Sequence, residues 1–562
     1  MRLRSSLLVA CLVAAIQVSA DHLAGGSVTY ECLGGNFYRI TLTMYRDCLG
    51  TEVVPQNLSF SNDCGVNFTV SNIVHDEEVF VAPVCADQSG DSTCDDGPLF
   101  GMKKYVFHRE LFLSPCSGWR IFWSVCCRPT VINANGNAGL YIVAGLDNTE
   151  GACNNSPYFT DHMPPLVCAG QAMHYDPMVV EADGDSLVFS LVDARYAAPV
   201  PQPIFYQIPW FGAIPFTDLT IDPITGRISY LPSVQGSVVV VVQVDEYQPG
   251  GAWKGSVLRD YIFTTTPCDN NVPAINAGTI TSVVGDGVLT GSRSAALCSG
   301  GTGCMQMVFT DVNSTQALEV SSNVEMVLPG AGFTLNGTNP VVATICWDAL
   351  AAQPGTRHFG IKVLDNACPY RGLQTYTYTM TIHPTPEPFA GGSALACSQL
   401  PEFFLADSMA SAPPPGGVWT DPTGTPHSGW FNPATDPAGA YSYTITSFPN
   451  CKSFAEVQVT MLPDDDPLCD LLGLETIAAV ELRVRPNPMA DGAWVSGLQV
   501  PAGSVVPYLL LDMQGAERSQ GTLLAGGAGS WFALPRDLAN GTYLLVFPTS
   551  AVIRPQRVVL IR

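Results

Sequence analysis

Charge is scarce in this chain of 562 residues: only 13% are Asp, Glu, Lys or Arg, and 25 basic residues stand against 49 acidic ones. A formal net charge of −24 leaves no basic surface for nucleic acid phosphates and suits a soluble exterior and cation binding. Long helical periodicity is missing, and beyond the N-terminal 20 residues so is any apolar run of membrane-spanning length. The 19 cysteines include no C-x-x-C pair, which excludes zinc ribbons and thioredoxin-type exchange. There is no H-E-x-x-H, G-x-S-x-G or P-loop, and the eight histidines are scattered without a ligand-spaced pair. Gly184-Asp185-Ser186-Leu187 spells an esterase motif, but such enzymes need a D-x-x-H for acid and base, and the chain has none. Ser186 also runs straight into Leu187-Val188-Phe189-Ser190-Leu191, a strand rather than an exposed elbow. Nothing here points to an enzyme.

What is abundant is turn chemistry: 52 Gly and 44 Pro punctuate short apolar runs rich in Val, Leu, Tyr and Thr. The length exceeds one ordinary core and predicts about four or five domains. Met1 to Ala20 reads as a signal peptide, with Arg2 and Arg4, an apolar stretch from Leu7 to Ile16, and Val18-Ser19-Ala20 for cleavage. Leu8-Val9-Ala10-Cys11 imitates a lipoprotein box but has too little apolar sequence before it. Cleavage before Asp21 keeps 18 of the 19 cysteines, an even number suited to disulfides in an oxidising compartment.

Residues 21–155 hold nine cysteines, from Cys32 to Cys153, and a strand of clean alternation, Phe37 to Cys48. Trp119 and Trp123 share one strand face there, for core packing or for stacking on sugar rings. Residues 156–268 form a second β-domain bracketed by Cys168 and Cys268, residues 269–384 a third, and residues 385–463 a fourth. Residues 464–480 are an acidic linker, and 481–562 a small terminal β-unit. A glycine opens a strand, and a last strand closes each domain, at Gly236, Gly355, Gly439 and Gly541. Cys368 and Cys451 fall in the same loop of domains three and four. Cys397 is the one other cysteine of domain four, so Cys397 is expected to join Cys451. By analogy Cys368 reaches back to Cys298 or Cys304, and Cys469 either joins the odd cysteine of domain one or stays free.

The terminal unit carries the most specific resemblance. Arg485-Pro486-Asn487-Pro488 follows a short strand, Asp512-Met513-Gln514-Gly515 ends another, and Leu538-Ala539-Asn540-Gly541-Thr542-Tyr543 and a basic strand, Gln556 to Arg562, come after. In that order they resemble the C-terminal sorting domain of the type IX secretion system of Gram-negative, often gliding, bacteria. The resemblance implies carriage across the outer membrane by that machinery. Asp21-His22-Leu23-Ala24-Gly25-Gly26, Tyr30-Glu31-Cys32-Leu33-Gly34-Gly35 and Tyr45-Arg46-Asp47-Cys48 resemble the N-terminal region of large gliding-motility-associated surface proteins. Domain two resembles a cadherin-like immunoglobulin (Ig) sandwich, and domain four an Ig-like repeat of bacterial surface adhesins. The fold class expected is therefore all-β: tandem Ig-like β-sandwiches, with a disulfide-rich N-terminal β-domain and a small C-terminal sorting sandwich. The function implied is adhesion or surface structure, with a surface polymer, glycan or other cells as partner. The rival is a carbohydrate-binding accessory of a surface polysaccharide system, for which a groove lined by Trp119 or Trp123 is the discriminating feature.

One ligand site is expected. Glu181, Asp183 and Asp185 set three carboxylates at alternate positions, with Gly184 allowing a sharp turn. Asp245 and Glu246, at the end of the Val-rich strand, complete an oxygen set for Ca²⁺, because cadherin-like domains bring that strand end near such a loop. A solvated acidic turn is the alternative. Asp222-Pro223-Ile224-Thr225-Gly226 reads instead as a hairpin turn in which Asp222 bonds its own backbone.

Overall fold

The computed structural model describes residues 22–562 apart from 136–138, 150–152, 164, 198–199, 350–352, 450, 467, 470–481, 497, 499–502, 514, 527–528 and 549–555. The signal-peptide segment 1–20, Cys11 and most of the expected linker lie outside the described residues. The described residues divide into two compact units: those up to 386 together with 446–452, and those of 387–445 together with 453–562. The regular structure of the described residues is almost entirely strands, arranged as β-sandwiches.

In the first unit, residues 21–155 and 156–268, expected as two domains, share one sheet and one core. The long strand Trp253–Thr266 pairs with Leu23–Gly34 through Gly25↔Tyr261 and Ser27↔Arg259, and with Leu140–Leu146 through Val257↔Ala144. Along its whole length it also pairs with Gly236–Tyr247. The Val238–Val242 run is buried at every position, the pattern of a strand covered on both faces. Sequence patterning could not reveal this sharing, because each half carries its own alternation and the pairing joins residues more than 100 apart. Residues 280–383 form a separate sandwich, with a four-stranded and a five-stranded sheet around Met307, Phe309, Ile361 and Tyr378.

The second unit holds two smaller sandwiches with separate cores, around Trp419, Phe431 and Tyr441, and around Leu510, Phe532 and Leu545. The G-x-Y sequences have the same effect in both. Tyr441 donates to the Pro437 carbonyl and Tyr543 to the Ala539 carbonyl, each four residues upstream, as in the tyrosine corner of Ig-type folds.

A common plan repeats. The hairpins Gly236–Tyr247/Trp253–Thr266, Gly355–Leu364/Leu373–His383, Gly439–Phe448/Cys451–Met461 and Gly541–Val546/Gln556–Leu560 stand where the glycine pattern places them. Gly355 and Gly439 have φ of 145° and 144°, backbone that other residues adopt only with strain. In three cases a short early strand runs parallel to the last one: Leu166–Cys168, Ser294–Cys298 and Gly392–Ala396.

That plan corrects the disulfide scheme. The structure joins Cys168 to Cys268, but Cys397 is joined to Cys469, and Cys451 to Cys298. Cys397 follows Ala396, whose partner Met461 ends the strand that Cys451 begins. Ten residues of strand at about 3.3 Å each put them ~33 Å apart, where a disulfide needs a Cα spacing of about 4.4–6.8 Å. The true equivalent of Cys397–Cys469 is Cys168–Cys268: each ties the end of the early parallel strand to chain just past the last strand. The same reasoning bars Cys368 from Cys298, which sits opposite His383 at the far end of its sandwich. Cys368 instead bonds Cys85, and Cys304 bonds Cys346 directly across one ladder. The other pairs are Cys32–Cys153, Cys48–Cys94, Cys64–Cys116 and the adjacent Cys126–Cys127. All 18 cysteines from Cys32 onward are thus paired, as suits an oxidising compartment.

Candidate functional site

The carboxylates of Glu181, Asp183, Asp185 and Glu246 each offer an oxygen, all within 4.8 Å of one another. They are gathered by a turn, not by strand alternation as the sequence suggested. Gly184 sits at φ 86°, and the Glu181 carboxylate accepts the backbone N–H of Asp183 (2.6 Å), Gly184 (2.6 Å) and Asp185 (2.8 Å). Asp183 accepts from the Asn155 backbone and amide, both at 2.7 Å, and Asp185 pairs with Lys254 at 2.9 Å. Three carboxylates are therefore partly satisfied by protein donors. The strand that begins at Ser186 follows directly, so Ser186 opens a strand as expected.

Glu246 differs. It is fully buried, accepts one bond from the Asn154 amide (2.7 Å), and its Oε1 has no partner among the described residues. The Oδ1 of Asn154, also buried, has none among them either. Burial, with the Glu181 and Asp185 charges beside it, pushes the Glu246 carboxyl up to about 8. Asp245, expected beside it, points to the opposite face, as neighbours on a strand must. It accepts from Gln243 Nε2 (2.8 Å) and Trp253 Nε1 (3.4 Å) and takes no part in the cluster. Asp222 caps its own turn, accepting from the Ile224 and Thr225 amides at 2.9 Å.

Because the folded Glu246 pKa is raised, the native state holds a proton that the unfolded chain has released between roughly pH 4.5 and 8, so stability falls as pH rises through that window. Glu246→Gln is expected to raise the melting temperature over wild type at about pH 8.5 in chelator, with the two converging near pH 5. Thermal melts at the two pH values check this; equal melting temperatures at the high pH count against it.

Trp119 and Trp123 are each 1% exposed. Their indole N–H groups donate to the Ser114 carbonyl and to Gln56 Oε1, both at 2.9 Å. Their faces are core, unavailable for sugar stacking. Asn154, Asn155 and Lys254, which complete the acidic cluster, were not legible in the sequence, since nothing marks them as neighbours of Asp183 before the fold is known.

No family model matches the chain, and no curated protein does. Solved structures it resembles are tandem Ig assemblies. The N-terminal four Ig domains of Dscam1 align at 11% identity and TM-score 0.19, over 78% of this chain and 100% of theirs. The sialic acid binding region of the Streptococcus sanguinis SK1 adhesin aligns at 12% and 0.17, over 55% and 98%. The titin Ig tandem A164-A165 aligns at 9% and 0.14, over 41% and 97%. At TM-scores this low the likeness carries no functional argument.

Proposed function

We propose that the chain is a non-enzymatic, secreted cell-surface protein that acts in adhesion or surface structure, in cells that glide, and that residues 481–562 deliver it through the type IX secretion machinery. The observation that supports this reading is bracing across modules within the first unit. Cys85–Cys368 closes a separation of 283 residues, and Cys85 N–H donates to the Pro369 carbonyl while Arg371 N–H donates to that of Pro83. Lys362 pairs with the fully buried Asp161 carboxylate (2.8 Å), and His174 N–H donates to Gln374. A body locked in this way suits load borne from outside the cell better than a catalytic cycle. Among the described residues no helix is long and apolar enough to cross a membrane. The rival polysaccharide-accessory reading asked for a Trp-lined groove, and burial of both tryptophans removes that support. Beads coated with the purified chain are expected to bind whole cells or surface polymer and to be competed off by free chain; beads that bind no better than albumin-coated ones count against adhesion.

Calcium at the acidic cluster is part of this reading. Glu181, Asp183, Asp185 and Glu246 would hold it, since an all-oxygen set suits a hard cation and Glu246 Oε1 is left without a donor. The full chain is the right sample, because residues 156–268 share their sheet with 21–155. Its melting temperature is expected to rise with millimolar calcium over chelator, and Asp183→Asn with Asp185→Asn to remove the rise. A melt indifferent to calcium leaves only the hydrogen-bonded acidic turn.

A further inference from the structure

A second cavity, of about 560 Å³, opens on the first sheet, and the functional reading leaves it unused. Its wall is a sheet face that is polar where a sandwich core is ordinarily apolar. Register explains the row: Arg259 lies opposite Ser27, Ser27 opposite Thr43, and Thr43 opposite Val106. One step along, Thr29 lies opposite Thr41, and Thr41 opposite His108. With side chains alternating along each strand, these residues share one face, and all of them line the cavity. Tyr158, Phe159 and His162 line it from outside that sheet.

Arg259 is the anomaly. It is only 2% exposed, no carboxylate pairs with it among the described residues, and its Nε and Nη1 have no hydrogen-bond partner there, the Tyr45 hydroxyl being its nearest polar neighbour. The rings of Tyr45, Tyr261 and Phe159 surround its guanidinium at 4.4, 4.8 and 5.4 Å. Ring faces attract the positive charge, but they do not satisfy N–H donors in the guanidinium plane. Buried N–H donors without partners are costly unless an acceptor, best an anionic one, completes them. The other cation on the wall, Lys104, is already neutralised by Glu77 at 2.8 Å. Glu31, also on the wall, is held by Arg39 at 2.9 Å. Arg259 is thus the one wall cation with no carboxylate partner among the described residues, and a planar guanidinium matches the two oxygens of one carboxylate better than a dianionic phosphate. The hydroxyls of Ser27, Thr29, Thr41 and Thr43 beside it suit the hydroxyls of a sugar, and Tyr158, 39% exposed, offers a ring for its apolar face. The volume lies within the usual range of small-ligand sites.

We propose that this cavity binds a carboxylate-bearing saccharide, with Arg259 gripping the carboxylate, the serine and threonine row meeting the ring hydroxyls, and Tyr158 packing on the ring. The proposal takes its biological role from the surface-binding reading, while the site itself rests on the geometry. The test is calorimetry on the purified full-length chain with N-acetylneuraminate and trigalacturonate, against their methyl esters and a triglutamate peptide. Both variants named below are screened for an unchanged melting profile. Binding of at least one acid is expected, at least about tenfold tighter than its ester, the worth of one charge-assisted fork. Arg259→Lys, which keeps the charge and loses the fork, is expected to weaken it about tenfold. Should that variant not fold, Tyr158→Ala and the acid-to-ester ratio on the wild type decide. Tyr158→Ala is expected to weaken the acids and their esters alike. Esters that bind as well as acids, triglutamate that binds while the sugars do not, or no binding of either acid at millimolar concentration each overturn the proposal. A chain that binds the acids but does not support bead attachment keeps the site and loses the adhesive role; the reverse result loses the site alone.

Discussion

Deleting residues 482–562 is expected to leave the remaining chain folded and trapped in the periplasm, with none at the cell surface. The terminal sandwich has its own core, Leu482 to Leu560, drawn among the described residues wholly from within that stretch, so its removal leaves the other described cores whole. The motifs that resemble a sorting domain are the residues that close this sandwich. Asn487 accepts from Val559 N–H and donates to the Arg557 carbonyl, both at 2.8 Å, tying the Asn-Pro segment to the last strand. Asp512 accepts the Ala516 N–H through its side chain and the Gly515 N–H through its carbonyl, with Gly515 at φ 81°. Arg562 donates to the carbonyls of Ala490, Pro535, Arg536 and Leu538. A receptor that reads such a sequence is therefore reading a folded shape. Arg562→Ala and Asn487→Ala together are expected to lower export by loosening that shape. Fractionation with whole-cell protease shaving reads the result, and truncated chain at the surface at wild-type levels refutes the sorting role.

Replacing Cys85 and Cys368 by Ala is expected to cost about 4 kcal/mol, the scale for a disulfide that closes a very long loop. That cost falls on the first unit, where the bridge holds residues 83–85 against 369–371 and the Tyr370 hydroxyl accepts the Phe100 N–H. The measurement is a denaturant melt of wild type and double variant, together with non-reducing peptide mapping. Mapping is expected to recover Cys85 with Cys368, Cys298 with Cys451, and Cys397 with Cys469. An unchanged melt, or free thiols at Cys85 and Cys368, contradicts the bracing.

How much of this was legible depends on the range of the signal. Strand alternation, the Gly-opened terminal hairpins and the self-capped Asp222 turn are local, and the structure has them where the residues place them. The disulfides are not local. Cys368 and Cys451 do lie in corresponding hairpins, Cys368 in the connecting loop and Cys451 at the first position of the second strand, but that correspondence said nothing about which end of the sandwich each faces, and the length of that strand separates the wrong partner from the right one. The acidic cluster was half legible. Glu181, Asp183, Asp185 and Glu246 come together, yet through amide capping by Glu181 instead of strand alternation, and Asp245 fails by the parity of the strand it shares with Glu246. Arg259 gave no signal at all, because one arginine in a long apolar strand becomes unusual only when its neighbours from Leu23–Gly34 and Phe37–Asp47 turn out to be hydroxyls and rings.

The central claim, a braced surface protein that holds cells to something outside them, is tested most directly by attachment under flow. Cells lacking the chain are compared with the same cells supplied with residues 1–562 or with residues 1–481. The account predicts that retention under shear falls on deletion, returns with the full chain and does not return with the shortened one. Retention that is unchanged by deletion contradicts it.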